Sequence, residues 1–131
     1  LLHIADATGQ AIRRAGLNKV ALLGTRFTME QDFYKQRLSE RHAIDVVVPN
    51  EMEREVVHRV IYQELCLGQI QLESRAAYRR IMQRLVGQEA AQAIILGCTE
   101  ISLLVDQSDA SVPLFDTTAI HAQAAAEFAL S

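Results

Sequence analysis

Short apolar runs alternate with segments of helical periodicity along this chain of 131 residues. Three runs that contain β-branched residues, 19–24, 44–48 and 91–97, have the length of strands and show no clean alternation of apolar and polar positions. Continuous apolar runs are typical of parallel strands that are covered on both faces. A shorter run at 112–115 predicts a fourth strand.

Helical patterns fill the intervals between these runs. Segments 29–41, 51–67 and 70–86 repeat apolar side chains every three or four residues, and helical patterns also open and close the chain at 3–15 and 117–130. A short helix is predicted after the third strand. This order predicts an α/β fold, an open parallel four-stranded sheet with helices on both faces, whose connections are right-handed crossovers.

Local signals also predict where these helices begin and end. Ser, Thr, Asp and Asn are favoured at N-caps, where their side-chain oxygen accepts a backbone N–H, and Gly is favoured just beyond the last turn. The signals are the capping boxes Thr28 with Gln31 and Asn50 with Glu53, the N-cap Asp116, and the stops Gly68 and Gly87.

Composition excludes several classes of partner. The net charge is −3 and there is no basic stripe, which argues against a nucleic-acid surface or an anionic membrane face. No apolar run approaches the roughly 20 residues of a membrane span. The two cysteines and four histidines lack metal-ligand spacing, and the chain shows no signal peptide. We therefore expect a cytoplasmic protein with reduced thiols and no bound metal.

The four exit loops of the predicted sheet are rich in Thr, Gly and small polar groups. Ligands of open parallel sheets bind beyond the carboxyl ends of the strands. All four strands are predicted to run the same way, so their exit loops should gather at one edge. These loops are 24–28, 49–52, 97–100 and 115–118.

Cys98, in the third of these loops, has two interpretations. It precedes a predicted short helix, whose dipole would lower the thiol pKa and suit proton transfer. The backbone amides at 99 and 100 could also bind a carboxylate. Alternatively, Cys98 is a small apolar side chain that closes a strand, because free cysteine is among the most buried residue types. Position alone leaves both open.

The first exit loop offers further candidates. Thr28 is predicted to cap the following helix, which would leave Thr25 freer to face a ligand. Arg26 is expected to form surface ion pairs and not to clamp a substrate.

Three other features are expected to be structural. Cys66 lies late in a predicted helix, far from the exit loops, where the dipole disfavours a thiolate. His121 falls one turn into the last helix and is expected to pack or lie at the surface. The charged residues of 51–59 are expected to form a solvated helix face.

Three colinear motifs resemble one known family. The segments "LLGTRFTMEQDFY" (22–34), "IILGCTEISLL" (94–104) and "PLFDTTAIHA" (113–122) look like those of the aspartate/glutamate racemase family, whose enzymes do not use pyridoxal phosphate. The resemblance covers nearly the whole chain. It implies two facing α/β domains that each contribute one cysteine, without metal or organic cofactor. One thiolate removes the α-proton of an amino acid while the other thiol protonates the opposite face.

The resemblance also implies site residues. Cys98 would be the acid/base of the second domain, and Thr99, Thr25, Thr28 and Glu100 would contact the substrate. Asp116, Thr117 and His121 would lie in the segment that returns the chain to the first domain, in structural or supporting roles.

Two departures from the family pattern shape the expectation. The Cys-Asn/Thr-Thr turn that carries the first cysteine is missing, so residues 1–115 are expected to be the second domain and 116–131 a helix that returns to an absent first domain. Glu100 stands where glutamate racemases usually carry His, which favours an aspartate/glutamate-type or broad-specificity branch. We expect the isolated chain to be inactive and to self-associate, with 117–130 docked on another copy or on its own open face.

Two other functions remain open from sequence. Relatives in the same superfamily isomerise maleate, racemise hydantoins or decarboxylate arylmalonates. A flavodoxin-like binding module is a different class, but "GTRFT" is not a phosphate-binding loop of the G-x-G-x-x-G or Walker type.

Overall fold

The computed structural model describes residues 4–130, without the side chains of Ile4, Phe128 and Leu130. Residue 3 of the predicted first helix lies outside the described residues. Among the residues described, no helix is both long enough and apolar enough to span a bilayer.

A four-stranded parallel sheet forms the centre of the fold, as the apolar runs predict. Its strands lie side by side in the order β2-β1-β3-β4. Residue Ala21 pairs with Val47 on one side and with Ile94 on the other. The strands are β1 Lys19–Leu23, β2 Asp45–Val47, β3 Ile94–Leu96 and β4 Leu114–Asp116.

Seven helices and two 3-10 turns connect or flank the strands in the described part of the chain. The segment predicted as one helix at 29–41 is two helices, because the backbone of Gln31 is extended between them. The helices are α1 Ile4–Arg14, α2 Arg26–Glu30, α3 Asp32–His42, α4 Glu51–Gln63, α5 Leu72–Gly87, α6 Ile101–Leu104 and α7 Thr117–Leu130. The 3-10 turns are Leu65–Leu67 and Gln107–Asp109.

Two apolar layers cover the two faces of the sheet. Alternate side chains of β1 point to opposite sides, so Ala21 and Leu23 pack with α4 and α5, whereas Val20 and Leu22 pack with α1 and α3. This two-sided burial explains why the strands read as continuous apolar runs.

Several predicted helix ends are present in the structure. The Asn50 side chain accepts the Glu53 N–H at 2.9 Å, and the Glu53 carboxylate accepts the Asn50 N–H at 3.0 Å, which completes the capping box. Gly68 ends the first 3-10 turn with a φ of 77°. The Asp116 carboxylate accepts the N–H of Thr118 at 2.9 Å at the start of α7.

Helix α7 packs against α1 of its own chain. Residues of both helices, including Ala7, Ala11 and Ala124, line a shallow cleft between them. The predicted self-association of the chain is a separate matter and stays a prediction.

Ala43 ends α3 in the left-handed region, with φ 54° and ψ 41°. A β-carbon is disfavoured in this conformation, and helices that end this way usually carry Gly there. We expect Ala43→Gly to raise the free energy of unfolding by about 1 kcal/mol. Urea denaturation measures this change.

The matched control is Ala122→Gly, the same substitution at an exposed position within α7. It should lower the free energy of unfolding by about 1 kcal/mol, because Gly is a poor helix former. Equal losses in both variants would show that Ala43 is not strained.

Candidate functional site

Gly97 brings the exit turns of β1 and β3 together. Its N–H donates to the Leu23 carbonyl at 2.7 Å. A β-carbon at this position would lie 3.1 Å from that carbonyl oxygen and 3.3 Å from Cγ2 of Thr28. Gly97 therefore allows a closer approach of the two turns than a larger residue would, and the next residue, Cys98, begins beside the Thr25–Thr28 turn.

The predicted cap of the helix after β1 is Thr28, but the structure gives this role to Thr25. Thr25 is the N-cap of α2, since its Oγ1 accepts the N–H of Thr28 at 3.3 Å, whereas Thr28 lies within the helix. The prediction that Thr28 caps a helix with Gln31 is wrong because α2 starts directly after β1. The two hydroxyl oxygens are 3.1 Å apart.

The Cys98 thiol is half-buried and donates a hydrogen bond to the Glu100 carboxylate at 2.9 Å. Burial raises the pKa of Cys98 to about 11, the hydrogen bond to the Glu100 side chain also raises it, and the Glu100 backbone N–H opposes both. The same bond holds the pKa of Glu100 below its ordinary value.

The expectation of a lowered thiol pKa is therefore wrong. Helix α6 has only four residues, so its dipole is small, and Cys98 has the negative charge of Glu100 within hydrogen-bonding distance. At neutral pH the resting site holds a protonated thiol beside a carboxylate.

The turn after β4 contacts the Cys98 turn through Thr118, which lies against Thr99. The Thr99 hydroxyl oxygen lies 3.0 Å from that of Thr118. Ser102 donates to the Asp116 carboxylate at 2.9 Å, and the buried Thr117 hydroxyl donates to the Leu96 carbonyl at 3.1 Å. Sequence reasoning did not single out Thr118, although it lies in the predicted exit loop 115–118, and it missed Ser102.

The structure thus brings the sequence-predicted site residues to one edge of the sheet. Thr25 and Thr28 lie on one side of the Cys98 turn and Thr118 lies on the other, because β3 stands between β1 and β4. His121 lies one turn into α7, and its Nδ1 is buried without a hydrogen-bond partner among the described residues.

The 51–59 segment is not simply a solvated face. Half-buried His58 accepts the backbone N–H of Arg26 on its Nδ1 at 2.9 Å. The Arg26 guanidinium pairs with Glu30 at 3.2 Å and with Glu55 at 2.8 Å, so the expected ion pairs of Arg26 are present. Helix α4 therefore holds the β1 exit turn directly.

Cys66 is closer to Cys98 than the sequence predicts. The helix that was expected to reach residue 67 ends at Gln63, and Cys66 is exposed in the following 3-10 turn, which packs against α6. The charge of a Cys66 thiolate contributes to raising the pKa of Cys98. The expectation that Cys66 lies far from the exit loops is wrong.

Within residues 4–130, no cluster of three His, Cys, Asp or Glu side chains could hold a metal ion. A groove between α4 and α5 is lined by Met52, Val56, Ala77 and Ile81 and contains none of the candidate site residues.

Solved structures resemble the fold over nearly the whole chain. A crystal structure of an Asp/Glu racemase candidate from Yersinia pestis is 59% identical, with a TM-score of 0.96 over 100% of this chain and 56% of its own. An aspartate racemase homologue from Pyrococcus horikoshii OT3 is 38% identical, with a TM-score of 0.92 over 99% of this chain and 56% of its own. The chain thus spans little more than half the length of these two proteins.

More distant similarity agrees on the fold. The Picrophilus torridus aspartate racemase is 20% identical with a TM-score of 0.64, over 95% of this chain and 52% of its own, which shows the shared fold alone.

Sequence comparison identifies the family. A protein from the pnlA 3′ region of Pectobacterium carotovorum subsp. carotovorum is 31% identical over 113 residues, which are 86% of this chain and 73% of that protein. The model of the Asp/Glu/hydantoin racemase family matches residues 1–125. The chain belongs to the Asp/Glu/hydantoin racemase family.

Proposed function

We propose that this chain supplies Cys98 as one acid/base group of an amino-acid racemase of the aspartate/glutamate type or of broad specificity. The supporting observation is the position of the turn that carries Cys98, between two threonine-bearing turns at the carboxyl edge of the sheet, in a member of this family. The reaction interconverts L- and D-amino acids by proton transfer at the α-carbon and uses no cofactor.

The chemistry sets requirements that these residues can meet. Breaking the α-carbon–hydrogen bond leaves an electron pair that spreads onto the substrate carboxylate. Hydrogen-bond donors aimed at that carboxylate stabilise the developing charge. The hydroxyl pairs Thr25–Thr28 and Thr99–Thr118 flank the Cys98 turn. One hydroxyl of each pair donates to the other, which leaves one hydroxyl proton per pair for a substrate oxygen.

Glu100 is proposed to bind the ammonium group of the substrate. Its carboxylate is ionised and half-buried beside the thiol, so it can pair with the substrate ammonium. A cation placed there offsets the charge of Glu100 and lowers the pKa of Cys98 in the complex. The thiol can then both deliver and accept a proton, as a reversible racemase requires.

Racemisation needs a second proton-transfer group on the opposite face of the α-carbon. We propose that it is a cysteine in a segment outside residues 1–131, because the chain spans only 56% of each of the Yersinia pestis and Pyrococcus horikoshii proteins. In this arrangement residues 1–115 form a second α/β domain, and 116–131 return toward a first domain. The active protein is proposed to be a cytoplasmic homo-oligomer.

Hydantoin racemisation is the second candidate function. The matched family includes hydantoin racemases, whose reaction also moves a proton at a carbon next to a carbonyl group. Amino acids and hydantoins tested side by side separate the two activities.

Replacing the proposed acid/base tests the function. In the full-length protein that the gene encodes, Cys98→Ala should lower racemisation about a thousandfold, since positioned acid–base groups contribute on this scale. Incubation of amino acids and hydantoins in deuterated water, followed by mass spectrometry, measures proton exchange at the α-position.

Cys66→Ser is the matched control, because Cys66 is also a free thiol but is exposed. It should retain activity and circular dichroism like the unsubstituted protein. A loss as large as that of Cys98→Ala would move the assignment to Cys66, and no deuterium uptake by any substrate would reject racemisation.

The proposed need for a second segment makes a separate prediction. A polypeptide limited to residues 1–131 should not racemise amino acids, because a single thiol reaches one face of the α-carbon. Chiral chromatography after prolonged incubation with L- and D-aspartate and glutamate measures this. Sustained turnover by residues 1–131 would contradict the two-thiol proposal.

The charge of Glu100 should govern the reactivity of Cys98. Glu100→Gln removes a negative charge that raises the thiol pKa, so the thiolate fraction at pH values below about 11 increases. Each pKa unit changes that fraction about tenfold. In a Cys66→Ser background, the rate of alkylation by iodoacetamide at fixed pH should rise several-fold.

Glu127→Gln, an exposed change on α7, is the control and should leave the alkylation rate unchanged. The rate should be followed up to the pH at which the thiolate fraction saturates. If Glu100→Gln slowed alkylation, the hydrogen bond between the two side chains would be promoting ionisation instead of opposing it.

A further inference from the structure

The hydrogen bond between His58 and the β1 exit turn determines which ring nitrogen of His58 carries a proton. Backbone N–H groups only donate, so the Nδ1 atom that receives the Arg26 N–H at 2.9 Å must carry a lone pair. His58 is therefore neutral in this arrangement, with its proton on Nε2. A protonated imidazole carries hydrogen on both ring nitrogens, so its Nδ1–H would face the Arg26 N–H and the hydrogen bond would be lost.

The neighbours of His58 are the ring of Tyr62 and the ion-paired Arg26. The ring centroids of His58 and Tyr62 are 4.6 Å apart and the two rings are tilted by 40°, and the His58 ring lies beside the backbone of Arg26. Protonation would replace the acceptor at Nδ1 by a donor that faces the Arg26 N–H. Helices α2 and α5 and the first 3-10 turn pack against α4.

Charged and titratable groups on these elements complete the environment. These groups are Arg26 and Glu30 in α2; Glu51, Glu53, Arg54, Glu55, Arg59 and Tyr62 in α4 itself; Glu73, Arg75, Tyr78, Arg79, Arg80 and Arg84 in α5; and Cys66 in the 3-10 turn. Most are committed elsewhere: Glu30 and Glu55 pair with Arg26, Tyr78 donates to the Val57 carbonyl, and Arg84 pairs with Glu53.

A short chain of contacts leads from His58 to the site. His58 holds the N–H of Arg26, the residue after Thr25. Thr25 caps α2 and bonds to Thr28, whose methyl group lies against the position of Gly97. Gly97 directly precedes Cys98.

We propose that His58, in its neutral form, is a positioning residue that holds the Thr25–Thr28 turn beside Cys98, and that protonation of His58 releases this turn. The consequence for catalysis rests on the proposed function, whereas the contact itself does not. His58 touches neither substrate nor reacting atoms in this role. Its protonation supplies an acid-side loss of activity.

Two substitutions separate positioning from general stability. His58→Asn places an amide oxygen where Nδ1 stands, so the acceptor remains but no longer titrates. His58→Ala removes the acceptor and favours the helix, so any loss does not arise from helix propensity. His42→Asn removes a histidine that pairs with Asp6 on the other face of the sheet and serves as the pH control.

The first readout is independent of activity. Nuclear magnetic resonance on the full-length protein follows the Arg26 amide and the His58 ring during a pH titration. We expect protection of the Arg26 amide from exchange to fall as His58 protonates, to be lost in His58→Ala at all pH values, and to persist at low pH in His58→Asn. If the exchange protection of the Arg26 amide did not change when His58 is protonated, the proposal would be overturned.

The second readout is the pH profile of kcat/KM for racemisation. Below the titration of His58 the unsubstituted protein and His42→Asn should lose about tenfold per pH unit. His58→Asn should lack this loss, and His58→Ala should be about tenfold less active at neutral pH because the turn is misplaced. An identical acid limb in His58→Asn would overturn the catalytic part.

Failures of the two proposals can be told apart. An inactive protein whose Arg26 amide still follows His58 would refute the racemase proposal and keep the positioning contact. An active protein whose amide protection and acid limb do not respond to His58 would refute the positioning role and keep the racemase.

Discussion

The approach of β1 and β3 at Gly97 is the constraint on which the site depends. A 2.7 Å hydrogen bond from Gly97 to Leu23 pulls two strand ends together at a point where a β-carbon would be crowded. Both strands are buried on both faces, so neither can move away without opening one of the apolar layers. The position of Cys98 relative to the threonines is therefore set by the centre of the sheet.

The surroundings of Cys98 raise its thiol pKa, whereas those of many reactive cysteines lower it. Reactive thiols are often activated by neighbouring cations or by the start of a long helix. Here a carboxylate two residues away and partial burial keep the Cys98 proton on sulfur. A racemase can use such a group, because one of its two groups must begin each turnover as an acid. The substrate ammonium would then adjust the thiol only in the complex.

Much of the fold could be predicted from sequence because its signals are local or repetitive. Continuous apolar runs mark strands that are buried on both faces, and the Asn50–Glu53 capping box depends on residues three apart. Thr28 and Gln31 have the same spacing, but the N-cap of α2 is Thr25, which lies two residues after the end of β1. Competing caps within one short loop cannot be ranked without the geometry of the preceding strand.

The edge of the sheet could be predicted as a site from topology, but its details depend on contacts between distant segments. Thr99 with Thr118, and Arg26 with His58, are separated by 19 and 32 positions. The charged residues of 51–59 were predicted to form a solvated face because helical periodicity indicates which residues point away from the core. It does not indicate which of those residues contact another loop. Cys66 was misplaced for a similar reason, since the end of α4 at Gln63 redirects the chain toward α6.

The ion pairs of Arg26 connect these observations to function. Its backbone N–H and its guanidinium reach three residues on two helices, so one position joins α2 to α4 at the edge where ligands of parallel sheets bind. Surface ion pairs contribute little stability individually. Their value here is geometric, because they fix the turn between a buried strand and a short helix that has few core contacts of its own. The proposed site is built from short turns that need such outside support, and α4 provides it.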